Sequence, residues 1–314
     1  MTLSRITLLR LHQVPGIGQR TLYKILAWAD SSDERLGILF ELNPDEISRL
    51  FHLKADLATA LKHSSIERAE ALAEELYRNG WQLITQSDPG YPPQLRKQIA
   101  DKAPPMIYVR GSIDHLAKPG LAFSGSRHSS EQGLNHTATL VRQAVKQGLS
   151  VISGHAPGVD SIAHQTTLEQ DGVTILVLPE GVLTFKLRSE LRSLYERSPQ
   201  NVVVVSEFPP HMPWSAQSAM LRNQIIIGLA QALCVIESGD TGGTLSAGQT
   251  ALKLNIPVFV LRYPEPPPSA AGNHLLLEQG AQPIPVHPEV VLPDLSGGTT
   301  QSGSENTPKQ LSLF

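Results

Sequence analysis

The chain has 314 residues, with 26 Lys and Arg against 29 Asp and Glu for a formal net charge of −3. That length admits two domains, or one large one with an appendage. The near balance of charge excludes a global field that would hold the protein on a polyanion or an anionic membrane, so any polyanion site must be a local patch. Its one cysteine, Cys234, excludes an internal disulfide, and with neither a secretory leader nor an uninterrupted apolar run of spanning length a cytoplasmic protein is expected.

Residues 1–80 read as an all-helical domain. Two apolar-periodic segments, around Leu8 to Leu11 and Leu22 to Leu26, are joined by Pro15-Gly16-Ile17-Gly18, the spacing of a helix-hairpin-helix. Gly16 and Gly18 either let backbone amides approach a phosphate at the opening of the second helix or only let the two helices pack. Asn43-Pro44-Asp45-Glu46 predicts a helix start, and 66–79 predicts one amphipathic helix stopped by Gly80.

From Trp81 the texture changes. Strands are predicted at 81–85, 106–110, 121–123, 151–152, 174–178, 202–205, 233–236 and 258–261, alternating with helical patterns. Several are apolar without alternation, as strands covered on both faces should be. The class is α/β, a doubly wound and mostly parallel sheet over 81–290.

Three predicted strands run into small-residue loops ahead of helices: Gly125-Ser126-Arg127 before 131–147, Ser153-Gly154 through Gly158-Val159-Asp160, and Ser238 through Gly242-Gly243-Thr244. In a parallel sheet such loops share the carboxyl edge and converge on one crevice, where the function is expected. Arg127 offers a forked contact to a phosphate while the amides of Gly125 and Ser126 complete an anion nest; the alternative is a salt bridge that fixes the turn. Arg222-Asn223 precedes an apolar run, where the arginine can neutralise backbone charge and the asparagine can hold a neighbouring loop, touch a base edge or cap a helix. Gly242, Gly243 and Thr244 make either a phosphate cradle or a tight strand-to-helix turn. Asp160 and His164, four apart on one helical face, are expected to hold one another as structural partners.

No Gly-x-Gly-x-x-Gly follows the first strand and no Walker lysine motif occurs, so no nucleotide cofactor is expected. Scattered histidines with one cysteine give no metal-ligand spacing. Residues 291–314 are too polar to bury a core and are expected to be disordered; Leu311-Ser312-Leu313-Phe314 is either a docking peptide or a frayed end.

Several ordered segments together resemble the DNA-processing protein A family (DprA, also called Smf). They are Pro15 to Gly18, Tyr91-Pro92-Pro93-Gln94-Leu95, Pro105 to Gly111, Gly125-Ser126-Arg127, Ser153-Gly154 with Gly158-Val159-Asp160 and Ala163-His164, Ser206-Glu207-Phe208-Pro209, Arg222-Asn223 with Ile225-Ile226 and Gly228-Leu229, and Gly272-Asn273. The resemblance implies an extended Rossmann-like core behind a helix-hairpin-helix or SAM-like domain. It also implies single-stranded DNA as ligand, protection of that DNA and its delivery to a RecA-type recombinase, and a homodimer built on 81–290 with no catalysis. DNA or phosphate contacts are then expected at Gly125, Ser126, Arg127, Ser153, Gly154, Arg222, Asn223, Gly242, Gly243 and Thr244. Lys186 and Arg188 would replace the Tyr-Pro and asparagine-bearing turn that such proteins carry after Pro179.

The departures are Gln224 where a second arginine is usual, Thr241-Gly242-Gly243-Thr244 in place of Ser-Gly-Ser, and no C-terminal winged-helix segment. They leave open a paralogue in phage defence, or a regulator beside another operon-encoded protein. From a different class, LOG-type phosphoribohydrolases carry Pro-Gly-Gly-x-Gly-Thr and a following glutamate. Here Leu245 to Gln249 supply no carboxylate, leaving Asp160 and Glu207 as stand-ins for acid–base work. A nucleotide-sensing module would use the same crevice. The runs Ile225 to Leu229 and Leu275 to Leu277 suit either a two-sided core or an oligomer seam.

Overall fold

A computed structural model of the chain describes residues 3–29 and 32–295. Six helices come first: α1 (Leu3–His12), α2 (Gln19–Ala29), α3 (Asp33–Ile38), α4 (Pro44–Phe51), α5 (Ala55–Lys62) and α6 (Ile66–Arg78). Their ends follow local chemistry. Asn43 and Glu46 exchange side-chain to backbone hydrogen bonds at 3.0 and 2.8 Å, a capping box with Pro44 in the first turn of α4. Ser65 caps α6, and Gly80, at φ +73°, turns the chain out of it.

The α/β part follows as β1 (Gln82–Thr85), α7 (Pro93–Ile99), β2 (Met106–Arg110), β3 (Gly120–Ser124), α8 (Glu131–Lys146), β4 (Ser150–Ser153), α9 (Val159–Glu169), β5 (Thr174–Val177) and α10 (Ser189–Arg197). It continues through β6 (Val202–Ser206), α11 (Ala216–Leu229), β7 (Ala232–Val235), α12 (Gly243–Lys253), β8 (Val258–Arg262), α13 (Asn273–Glu278) and β9 (Gln282–Pro285). These strands make one sheet in the order β1-β2-β6-β5-β4-β3-β7-β8-β9, antiparallel at β1/β2 and β2/β6 and parallel elsewhere.

Both faces are covered, which is why the strands are apolar without alternation. Val202 and Val204 of β6 enter one apolar cluster and Val203 and Val205 another. On one face lie α7, α11 and α12; on the other, α8 and α9 cover β3, β4, β7 and β8, and the N-terminal helices cover β1, β2, β5 and β6. Residues 3–83 and the sheet therefore share one continuous cluster, running from Leu8 and Phe51 to Tyr108 and Leu176.

Several expectations change. β9 was not predicted, because Gln282-Pro283-Ile284-Pro285 holds two prolines; as the sheet's last strand it has no outer neighbour to receive its missing N–H groups. Asp160 and His164 do not pair. Asp160 Oδ2 accepts from the amides of Gly154 and Ala156, while His164 Nδ1 lies 2.7 Å from Thr174 Oγ1. The tail starts later than 291, since Gln143 bonds Val290 and Leu292, Gln147 bonds Pro293 and Leu295, and both leucines are buried. Residues 296–314, with Leu311 to Phe314, lie outside the described residues. Ile225, Ile226, Ile227 and Leu229 are buried in the chain's own core, as is Leu276. Among the described residues no helix is long and apolar enough to cross a membrane, and no cluster of His, Cys, Asp or Glu is placed to hold a metal ion.

Candidate nucleic-acid interface

Strand order reverses between β3 and β7, so the connections leaving these neighbours diverge and open a crevice at their carboxyl ends. The loops after β3, β4 and β7 meet there with the N-terminal half of α11, around a cavity of about 500 Å³. Helices α9 and α12 both begin at its rim behind glycines, Gly158 and Gly242, and no side chain caps either start. Their first amides are therefore open to an anion.

The floor carries the unusual charge. Arg222, on α11, is only 5 % exposed, and its Nε and Nη1 have no hydrogen-bond partner among the described residues. Burial lowers its pKa, with Asp160 acting in the opposite sense, and a guanidinium so placed keeps its charge. Asp160 is buried beside it and its pKa is raised by burial, against the pull of Arg222 and of the Ala156 and Gly154 amides. Gly154 makes this packing possible. A Cβ there would fall 1.2 Å from Arg222 Nη1, so the guanidinium fills the space a side chain would need.

Arg127 sits at the mouth, exposed, with its guanidinium 5.6 Å from the ring centre of Trp214. No carboxylate lies within ion-pair distance of it among the described residues, which disposes of the salt-bridge alternative. Trp214 is itself 49 % exposed and lines the crevice, presenting a flat apolar surface beside the arginine.

The loop that holds Arg127 is fixed from below by Glu237. That carboxylate is fully buried and accepts from Ser130 N (2.8 Å), Ser130 Oγ (2.6 Å), Ser269 Oγ (2.7 Å) and Tyr263 Oη (3.1 Å), while Ser126 N donates to its backbone carbonyl at 2.8 Å. The loop after β7 is fixed by Asn273, which accepts from Ser238 N and donates to the Ile236 and Leu261 carbonyls. Gly272 lets that loop approach, since a Cβ there would lie 1.9 Å from the Gly239 carbonyl oxygen.

The crevice thus brings together Gly125, Ser126, Arg127, Arg222, Asn223, Gly243 and Thr244 as lining residues. Asn223 lies inside α11, whose cap is Ser215, so it is no helix cap; its Nδ2 donates to the Gly243 carbonyl at 3.2 Å and ties two walls together. Ser153 stands behind the lining, where its Oγ donates to the Phe123 carbonyl. Gly242, at φ +98°, precedes α12 just outside it. Lys186 and Arg188 are off the lining, on the segment before α10 that passes His155; Arg188 pairs with Glu190 at 2.9 Å. Gly16 and Gly18 are elsewhere, on a second cavity described below. Trp214 and Glu237 escaped the sequence reading. An isolated tryptophan after Met212-Pro213, and a carboxylate closing the apolar run Cys234-Val235-Ile236, were the signals available.

The family model of DNA recombination-mediator protein A matches residues 82–295, which contain the whole sheet and every residue lining the crevice. The chain belongs to that family. It is 33% identical over 216 residues to Protein Smf of Escherichia coli K12, covering 69% of this chain and 57% of that one. It is 30% identical over 195 residues to the DNA processing protein DprA of Streptococcus pneumoniae R6, covering 62% and 68%. The chain therefore spans little more than half the length of the Escherichia coli relative. Among solved structures it is similar to DprA of Streptococcus pneumoniae, with a TM-score of 0.74, 24% identity and coverage of 90% of this chain and 95% of that one. It is also similar to the Helicobacter pylori protein described for its single-stranded DNA binding mode, with a TM-score of 0.55, 29% identity and coverage of 65% and 91%. Helices α1–α6 lie outside the residues that the family model matches.

Proposed function

We propose that the switch-point crevice binds single-stranded DNA by its phosphates, and that the chain protects such strands and passes them to a RecA-type recombinase. One observation carries the reading: a buried guanidinium on the crevice floor whose Nε and Nη1 lack partners. Burying a cation with unmet donors is costly unless a ligand supplies the acceptors. A phosphate above the floor offsets that charge, with Arg127 and the first amides of α9 and α12 as donors. Trp214 is the stacking surface a single strand can use and a duplex cannot, because its bases are already stacked. The names of the family and of the Helicobacter pylori relative support the same reading.

A hydrolase of the LOG type fits less well. Asp160 is engaged by two amides, and Glu207 lines the other cavity rather than the crevice, so neither carboxylate is free to serve a sugar there. The recombinase hand-off and a homodimer rest on family resemblance, since the apolar runs that suggested a seam are consumed by the core.

The test is fluorescence anisotropy of labelled strands across a salt series. Single strands should bind more tightly than duplex of the same sequence and far more tightly than mononucleotides, with affinity falling as salt rises because neutralised phosphates release counterions. A duplex preference, or an affinity indifferent to salt, overturns the proposal. Hand-off would be read as faster loading of a RecA-type recombinase onto strands already coated with this protein.

A further inference from the structure

A second cavity, of about 560 Å³, lies between the α1–α2 turn and the sheet, with α11 as its third wall. None of the crevice chemistry above uses it. Its walls are apolar, from Ile17, Phe208, Met212, Leu221 and Ile225. Its volume is in the range that takes a small ligand.

Two polar groups are set into these walls. Glu207 is 7 % exposed, and its carboxylate has no hydrogen-bond or ion-pair partner among the described residues. Its oxygens are not enclosed by protein, as the Arg222 nitrogens are, but open onto the cavity, where a ligand with donors can reach them. The second group is His12, 4 % exposed, whose Nδ1 lies 2.8 Å from the hydroxyl of the fully buried Tyr108. That nitrogen is the one partner the Tyr108 hydroxyl has among the described residues; with Tyr108 as donor, the arrangement that leaves no hydroxyl hydrogen unpaired, the imidazole proton is on Nε2. Arg20 and Lys102 are exposed at the mouth.

This pattern selects a ligand class. A simple amine would meet Glu207 but would be repelled by Arg20 and Lys102. An anion with an apolar flat body and a donor edge satisfies all of them. Among nucleobases, guanine alone presents two adjacent donors, N1–H and N2–H, to a carboxylate, and its O6 and N7 accept from a group such as His12 Nε2–H. Adenine and cytosine place a ring acceptor next to one amino group, and uracil or thymine flanks one donor with two acceptors, so each sets a lone pair against Glu207. We propose that this cavity is a guanine-nucleotide site: Glu207 holds the Watson–Crick donor edge, His12 an acceptor of the same base, the apolar walls enclose the ring, and Arg20 and Lys102 meet its phosphate. The guanine comes either from a free nucleotide or from one residue of a bound strand.

The experiment uses the full chain and has two arms. In the first, GMP, AMP, CMP and UMP are titrated calorimetrically against wild type, Glu207→Gln, Leu221→Trp and Arg127→Ala. At about pH 8, where Glu207 is ionised, wild type should prefer GMP by about tenfold or more. Glu207→Gln, a neutral isostere, should lose the preference. Leu221→Trp places a bulky ring at a half-exposed rim position and should weaken GMP binding without disturbing the core. Arg127→Ala, which alters only the crevice, should keep it. In the second arm, anisotropy compares short strands with one guanine against strands with none. A preference confined to strands and lost in Glu207→Gln assigns the guanine to bound DNA; one seen with GMP assigns it to the free nucleotide. No guanine preference in either arm, or one that survives Glu207→Gln and vanishes in Arg127→Ala, overturns the proposal. Binding of guanine-free strands reports on the crevice alone, so the two readings fail separately.

Discussion

Arg127 and Arg222 face the same crevice under opposite constraints. Arg127 is exposed, so Arg127→Ala should weaken strand binding several-fold while changing stability by no more than about 0.5 kcal/mol. Arg222 is buried beside Asp160, so Arg222→Met should lower affinity at least as much and should also lower the thermal midpoint at neutral pH, by less in Arg222→Met with Asp160→Asn, which removes both charges. Affinity kept in the folded fraction of either variant would make that arginine structural. Glu207 gives a pH dependence. Burial raises its pKa from 4.5 to about 7, so the folded state holds a proton that the unfolded state has lost. Stability from this group is full below about pH 4.5, falls as pH rises through 7, and is then level, a loss on the order of 3 kcal/mol. Tyr23 and Tyr91 are near enough to feel its charge, His12 is held neutral by burial, and Arg20 and Lys102 stand at the mouth of the same cavity. Glu207→Gln should flatten the slope and raise stability at about pH 8; denaturant melts at a series of pH values read both.

Loops, rather than helices or strands, decide the crevice. Gly154→Ala would drive a Cβ into the Arg222 guanidinium, the mobile end of a long side chain, so binding should drop while the fold persists. Glu237→Ala would remove four hydrogen bonds that hold the Arg127 loop, and should cost about 3 kcal/mol as well as affinity. The contrast is measurable by pairing unfolding curves with strand titrations. What the sequence discloses follows the same line. Parallel strands buried on two faces are continuous apolar runs, so eight of nine were legible; β9 was not, because an edge strand tolerates the prolines that signal a loop. Gly125, Arg127 and Gly243 were legible as crevice residues because glycine before a helix has a local cause. Trp214 and Glu237 were not, because their roles depend on which distant loop they meet: Trp214 under Arg127, and Glu237 under Ser130 and Ser269.

At the scale of the whole molecule, the N-terminal helices and the sheet share a core. Trp81, Leu83, Met106, Tyr108, Leu176 and Val204 are all buried in the cluster that α1–α6 complete, and Arg5 reaches across to Asp88 at 2.9 Å. A division into separately folding units at 80 and 81 would expose those side chains. At about 1.5–3 kcal/mol each, that is on the order of the entire stability of a domain. The fragment 81–295 is therefore expected to be soluble only as an aggregation-prone, loosely packed chain, seen as lost near-UV circular dichroism, and self-association is to be measured on the full chain. The shared core has a further consequence during synthesis. The α1–α6 segment leaves the ribosome before the sheet, and the strands β5 and β6 that help cover its apolar side are translated about a hundred residues later. Until then the side of this cluster that Leu176, Val202 and Val204 complete stays open, and the nascent chain is a client for whatever chaperone waits at the exit tunnel.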